Sequence, residues 1–131
     1  MYVVDTNTLM YFFKGMGSVP KRFLEVSPKD IAVPVVVLYE LEYGIAKSTS
    51  PRKRQAQLNE LCSVVEILPF DREAAKLSAS VRANLEKKGT PIGPYDTLIA
   101  GTALAAQGIL VTNNTKEFSR VSKLKLENWF K

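Results

Sequence analysis

The chain has 131 residues, 46% hydrophobic and 24% charged, a size and balance that suit one folded domain with its own core. It has no histidine and one cysteine, Cys62, which excludes a Ser-His-Asp triad, a histidine-ligated zinc or iron site and an internal disulfide. Hydrolytic chemistry would therefore have to run on carboxylates with a hard cation such as Mg²⁺ or Mn²⁺, and a net charge of +5 with a pI near 9.4 suits a polyanionic partner.

The run Met1-Tyr2-Val3-Val4 predicts a short buried strand that ends at Asp5. Thr6-Asn7-Thr8 then starts a helix through Leu9 to Phe13 that Gly15 and Gly17 end. Val19 to Val26 predicts a second short helix, with Pro20 near its start. Ile31-Ala32-Val33 is the next strand, and Pro34 suits the first turn of a helix running to Lys47. That helix is so apolar that most of it is expected to be buried. A break at Ser48 to Pro51 precedes a helix to about Ser63, and Val64 to Leu68 predicts a third strand. Asp71 caps a long helix through Ala74, Leu77, Ser78, Val81 and Leu85, closed by Lys87-Lys88-Gly89. After the loop Thr90 to Pro94 comes a helix from about Tyr95 to Gln107. Ile109 to Val111 is a fourth strand, Thr112 to Lys116 a polar segment, and a last short strand falls near Leu124 to Leu126. Strict strand–helix alternation predicts an α/β fold with a mostly parallel sheet of four to five strands and helices on both faces.

Four acids stand out. Asp5 follows a strand end, and the C-terminal edge of an open α/β sheet is where ligands and metals collect; it also suits a plain N-cap. Asp96 shares a helix face with Ile99, Ala100, Ala103 and Ala106, where an unpaired carboxylate costs several kcal/mol (about 2–7 for a polar group) unless capped, paired or bound to a cation. Glu40 lies in the apolar Val35 to Leu41 run, as a metal ligand or half of a buried ion pair, with Gly44 one turn on able to admit a ligand. Glu117 follows the fourth strand and reads as a site residue or a solvated helix-start glutamate. Asp30 reads as a turn residue, and Glu42 as solvated or paired with a lysine. Carboxylates converging at one sheet edge make a Mg²⁺ site able to activate water for attack on phosphorus and to stabilise the leaving oxygen.

Val4-Asp5-Thr6-Asn7, Tyr39-Glu40-Leu41-Glu42-Tyr43-Gly44, Pro91 to Asp96 with Ile99-Ala100, Val111 to Phe118, and Leu126-Glu127-Asn128-Trp129 occur in order along the whole chain. In these segments the sequence resembles PIN-domain ribonucleases, and among them the VapC-type toxins of toxin–antitoxin pairs. The resemblance implies a PIN-like three-layer sandwich, a single PIN domain over 1–131, and a Mg²⁺-dependent endoribonuclease, with Mn²⁺ as a possible substitute. Asp5, Glu40 and Asp96 match the family's acidic, metal-binding positions. Many relatives carry Asp where Asn114 stands, so either three acids suffice or Glu117 completes the catalytic set. Thr6, Asn7 and Thr112 match supporting positions, and Thr112, Asn113 and Asn114 supply neutral donors and acceptors suited to surrounding the acids. The resemblance further implies a structured RNA substrate (tRNA, or ribosomal RNA), a homodimer, and a cognate antitoxin with which it forms higher-order complexes.

Lys87, Lys88 and Lys116 flank the proposed site and suit RNA phosphates; Lys47 with Arg52 to Arg54, and Arg120 with Lys123 and Lys125, form further basic clusters. Tyr2, Tyr11, Phe12 and Phe13 are expected in packing rather than in base stacking. A receiver domain would show an adjacent acidic pair after the first strand, and a haloacid-dehalogenase-type phosphatase an Asp where Asn7 stands. No phosphate-binding G-x-x-x-x-G-K-[ST] loop is present. The competing reading is a non-catalytic RNA- or protein-binding PIN-like domain. No targeting segment or membrane span is read, which suggests a cytoplasmic protein. Without histidine, the pH profile is expected to lack a base titrating near about 6.5.

Overall fold

Val3 and Val4 are both fully buried, although successive side chains on a strand point to opposite faces. Cover on both sides is the condition of a central strand in a parallel sheet. The computed structural model describes Met1–Lys131. Its strands are β1 (Tyr2–Val4), β2 (Ile31–Pro34), β3 (Glu66–Leu68), β4 (Ile109–Val111) and β5 (Lys125–Glu127). They form one sheet in the order β3-β2-β1-β4-β5, and every neighbouring pair is parallel. The helices are α1 (Thr6–Lys14), α2 (Val19–Glu25), α3 (Val35–Ala46), α4 (Pro51–Cys62), α5 (Arg72–Lys87), α6 (Pro94–Ala105) and α7 (Thr115–Phe118). The chain moves from β1 through β2 to β3 in one direction, then returns to the far side of β1 for β4 and β5. Right-handed crossovers in opposite directions place the two groups of helices on opposite faces. The expected α/β architecture is met, with five strands and wholly parallel pairing. Between β1 and β4 the strand order reverses, which opens a crevice at their carboxyl ends.

Local chemistry accounts for the boundaries. Gly15, at φ 68°, closes α1 in the left-handed region. Asp71 caps α5 by accepting the Ala74 amide at 2.9 Å. Two expectations need correction. The third strand is shorter than Val64 to Leu68, because the amides of Val64 and Val65 turn back onto the Leu61 carbonyl at the end of α4. α3 is also less buried than its composition suggests. Val36, Val37 and Leu41 reach the core, but Val35, Tyr39 and Tyr43 are exposed. One face of α3 packs on the sheet while the other borders an open groove.

The N-terminal aromatics are held in packing, as expected. Tyr2 meets Trp129 at 5.3 Å between ring centroids, Phe12 stacks on Phe23 at 4.2 Å, and Tyr11 meets Phe130 at 4.6 Å. Glu127 ties this cluster together, its Oε1 accepting both Arg22 Nη2 and Trp129 Nε1 at 2.8 Å. The closest helix packing is between α5 and α6, where Gly101 faces Ser78. A Cβ on Gly101 would fall 1.8 Å from Ser78 Oγ and 2.7 Å from its backbone. Ser78 Oγ is buried without a hydrogen-bond partner, so this contact tolerates an unsatisfied hydroxyl for the sake of close approach. Gly101→Ala is expected to destabilise the fold by about 1–3 kcal/mol through overpacking. Ser78→Ala is expected to be close to neutral, because it removes an unpaired hydroxyl; urea denaturation of both variants checks the pair.

Candidate active site

Asp5 is both the N-cap of α1 and the residue that follows the central strand. Val4 pairs with Val111, so Asp5 and Thr112 stand level, one step beyond β1 and β4 in the crevice. The Asp5 amide donates to the Val111 carbonyl at 3.2 Å, and Asp5 Oδ1 accepts the Thr8 amide at 2.9 Å. Thr8 Oγ1 in turn donates to the Val111 carbonyl at 3.1 Å. The side chain is thus locked from two directions and is only 4% exposed. Burial pushes the Asp5 carboxyl above its usual range, opposed by hydrogen bonds from Thr112 and Thr8. One Asp5 oxygen caps the helix, as the N-cap reading expects, and the group as a whole is anchored at the sheet edge.

Glu40 reaches the same place from α3. Thr6 Oγ1 donates to Glu40 Oε1 at 2.6 Å, a short charge-assisted bond that links α1 to α3. Glu40 forms no ion pair; the structure's salt bridges are Arg22 with Glu25 and Glu127, and Arg82 with Glu86. Asp96 lies in the first turn of α6, half-buried, above the fully buried Ile99, Ala100 and Ala103. Its carboxyl is pushed up from 3.8 to about 6, first by burial and then by the negative charges of Asp5, Glu40 and Glu117. Four acids from α1, α3, α6 and α7 therefore share one electrostatic neighbourhood, with no cation among them to offset it.

As the side chains stand, no three acids lie close enough together to hold a metal ion. Mg²⁺ does not require three, since it keeps several waters and takes one or two carboxylates. The all-oxygen donor set, and an Asp96 strained by three like charges, fit a hard divalent cation. Burial first, and the neighbouring acids second, hold Asp96 above the usual carboxylate range in the metal-free protein.

The supporting positions divide. Thr6 and Thr112 touch the acids directly. The Asn114 amide donates to Thr112 Oγ1 at 2.9 Å, which fixes the turn leading to Glu117. Asn113 is turned to the C-terminal segment, its Oδ1 accepting Asn128 Nδ2 at 3.0 Å. Asn7 is exposed in the first turn of α1. Lys87, Lys88 and Lys116 are exposed, and Arg120 Nη1 donates to the Pro91 carbonyl at 3.2 Å, joining the end of α7 to the loop between α5 and α6. Thr8 was not singled out from the sequence, nor was the contact between Tyr39 and Tyr95, whose rings lie 5.6 Å apart. The available signals were Thr8 at the position an N-cap bonds, and a tyrosine directly before each of two acids.

The sequence pattern of the PIN domain matches residues 2–124. Over 98% of its length the chain is 34% identical to the tRNA(fMet)-specific endonuclease VapC of Salmonella typhimurium, covering 97% of that protein. It is 39% identical to Ribonuclease VapC2 of Rickettsia felis over 100% of this chain and 99% of the relative. A chain in the crystal structure of VapBC2 from Rickettsia felis bound to a promoter DNA fragment superposes with a TM-score of 0.90, at 38% identity and 98% coverage of both chains. The DNA-bound VapBC of Salmonella typhimurium gives 0.90 at 36% identity, covering 98% of this chain and 97% of that one. The chain belongs to the PIN-domain family. Within that family it is a VapC-type endoribonuclease, the toxin of a toxin–antitoxin pair.

The raised Asp96 pKa has a stability consequence with a definite sign. The folded chain binds this proton more tightly than the unfolded chain, so metal-free stability falls as pH rises from about 4 to about 6. Burial of Asp5 acts in the same direction. Asp96→Asn is therefore expected to melt above the parent protein at pH 7.5 without metal, with the gap closing toward pH 4. Added Mg²⁺ should raise the melting temperature of the parent more than that of the variant. Thermal melts at the two pH values, with EDTA and with Mg²⁺, check both statements.

Proposed function

We propose that Asp5, Glu40 and Asp96 hold Mg²⁺, or Mn²⁺ in its place, and that this single PIN domain over 1–131 hydrolyses phosphodiester bonds in structured RNA, tRNA first. The convergence of carboxylates at the β1–β4 switch point carries this reading. Asp96 loses its proton at neutral pH only against the charges of Asp5, Glu40 and Glu117, and a cation relieves that cost. Asp5 keeps one oxygen on the Thr8 amide, and Glu40 keeps one on the Thr6 hydroxyl. Each therefore turns through a fixed anchor and presents its other oxygen with little freedom to lose. When bound, the ion would lower the pKa of a water and neutralise charge on the phosphate oxygens. Glu117 serves as the fourth acid, because its charge reaches Asp96 while Asn114 engages Thr112 through its backbone. Thr6, Thr112 and Asn114 orient the acids; Asn113 braces the same loop from its far side, and Asn7 stands at the rim.

Lys87 and Lys88 at the end of α5 and Lys116 beside Glu117 contact RNA phosphates, giving salt-dependent binding. The relatives from Salmonella typhimurium and Shigella flexneri are named tRNA(fMet)-specific endonucleases, which supports a tRNA substrate. The structurally similar VapBC complexes support a cognate antitoxin as partner; a homodimer that joins the antitoxin in higher-order complexes completes the proposed assembly. A cytoplasmic location fits such partners, and no helix is long and apolar enough to cross a membrane.

Cleavage of end-labelled tRNA and ribosomal RNA, with Mg²⁺ and with EDTA, tests the proposal. Asp5→Asn, Glu40→Gln and Asp96→Asn should each lower cleavage on the order of 1,000-fold, several kcal/mol of lost transition-state stabilisation. Fragments should carry 5′-phosphate and 3′-hydroxyl ends; 2′,3′-cyclic phosphates would reject direct hydrolysis. RNA left intact by folded, antitoxin-free protein would favour the non-catalytic binding domain. For the fourth position, Glu117→Gln should cost about 10–100-fold and exceed the loss in Asn114→Ala. The reverse order, measured as kcat/KM on one RNA, would transfer the role to Asn114.

A further inference from the structure

Tyr39 immediately precedes Glu40, and Tyr95 immediately precedes Asp96. The two tyrosines come from α3 and α6, yet their rings meet at 5.6 Å with an interplanar angle of 48°, and the Tyr95 hydroxyl donates to that of Tyr39 at 3.5 Å. Both stay open to solvent, at 56% and 43% exposure. Tyr43, one turn further along α3, is 58% exposed and carries Lys47 Nζ at 4.7 Å over its ring. Three exposed tyrosines beside the acids form a patch, which isolated surface aromatics do not.

These rings border a groove of about 870 Å³ that begins at Thr6 and Glu40 and runs out to Lys14, Arg54 and Ser48 to Ser50. Arg54 is held there by bonds to the Phe13 carbonyl at 3.2 Å and Gln57 Oε1 at 2.8 Å. Aromatic faces interleaved with fixed cations, leading into a carboxylate site, match an unpaired RNA strand, whose bases stack while its phosphates meet the cations. Paired bases are stacked on one another and have no free face to offer. The mutual contact of Tyr39 and Tyr95 holds both rings in place, so a base settling on them immobilises little more.

We propose that Tyr39 and Tyr95 form a stacking platform for an unpaired nucleobase adjoining the scissile phosphate, so that the strand is cut only where it is unstacked. The proposal rests on the nuclease reading above. Because Glu40 lines the same groove as both rings, a base seated on the pair holds its strand beside that carboxylate. Tyr39 and Tyr95 are thus positioning residues, and they select substrate by strand structure.

The test starts from the bond that the parent protein cuts in tRNA, mapped with end-labelled total tRNA. Synthetic RNAs spanning that bond are then made intact, or with one abasic nucleotide directly 5′ or 3′ of it. At one of these positions the abasic substitution should slow the parent about 10–100-fold. The Tyr39→Ala/Tyr95→Ala double variant should lose a similar factor on intact RNA, and no further factor on the abasic RNA. Tyr39→Phe/Tyr95→Phe should restore the parent rate, since the stacking face is kept. Additive losses, or a double alanine variant that cuts intact RNA at the parent rate, would overturn the platform and leave the nuclease standing. An alanine variant that cuts normally but no longer retains the antitoxin would make the groove a protein-docking surface and equally overturn it. If parent and Asp96→Asn proteins alike leave RNA uncut, the nuclease reading falls and the platform with it.

Discussion

The buried carboxylate of Asp5 is the constraint around which the molecule is arranged. It follows the central strand, which is covered on both faces, and it is fixed by the Thr8 amide ahead of it and by β4 alongside. Burying a carboxylate is unfavourable, and Asp96 adds to the cost, held above its usual range by burial and by the charges of Asp5, Glu40 and Glu117. A fold selected only for stability would separate these groups or pair them with cations. Lysines and arginines are plentiful in this chain, yet none forms a salt bridge with these four acids. The lost stability is localised at the switch point of the sheet, where open α/β folds collect ligands.

α3 shows how one segment meets two demands. Its composition is that of a core helix, but only Val36, Val37 and Leu41 are spent on the core. The other face carries Tyr39, Glu40 and Tyr43, with Gly44 leaving open space beside them. Apolar surface that would be a solubility liability elsewhere thereby becomes a wall of the groove. The distribution of aromatics follows the same division. Tyr2, Tyr11, Phe12 and Phe23 are committed to the cluster with Trp129 and Phe130, whereas Tyr39, Tyr43 and Tyr95 are not.

The absence of histidine determines the style of chemistry. An imidazole would provide a base near neutral pH by its intrinsic chemistry. In this chain the surroundings of Asp96 raise its proton affinity, which makes that affinity a property of the assembled site. Any change that spreads the four acids apart, or supplies a cation, alters that affinity without touching Asp96 itself.

The fold was legible in the sequence because it rests on local patterns. Short apolar runs alternating with helical periodicity, Asp71 as a cap, Gly15 as a stop and Pro34 before a helix each act over a few residues. Asp5, Glu40 and Asp96 were also legible, as acids in apolar or strand-end positions where a solvated residue would have no reason to stand. What only the tertiary structure decided depends on pairs far apart in the chain. These include the Thr6–Glu40 bond, the Tyr39–Tyr95 contact, the approach of Gly101 to Ser78, and which face of α3 stays open. The sequence could not show that the charge of Glu117 reaches Asp96 while Asn114 bonds Thr112 through its backbone. It could not foresee the raised proton affinity of Asp96, since that shift arises from burial and from the charge of three residues brought in from other elements. Periodicity is a property of neighbours along the chain, whereas the electrostatics of the site exist only once the sheet has brought distant residues together.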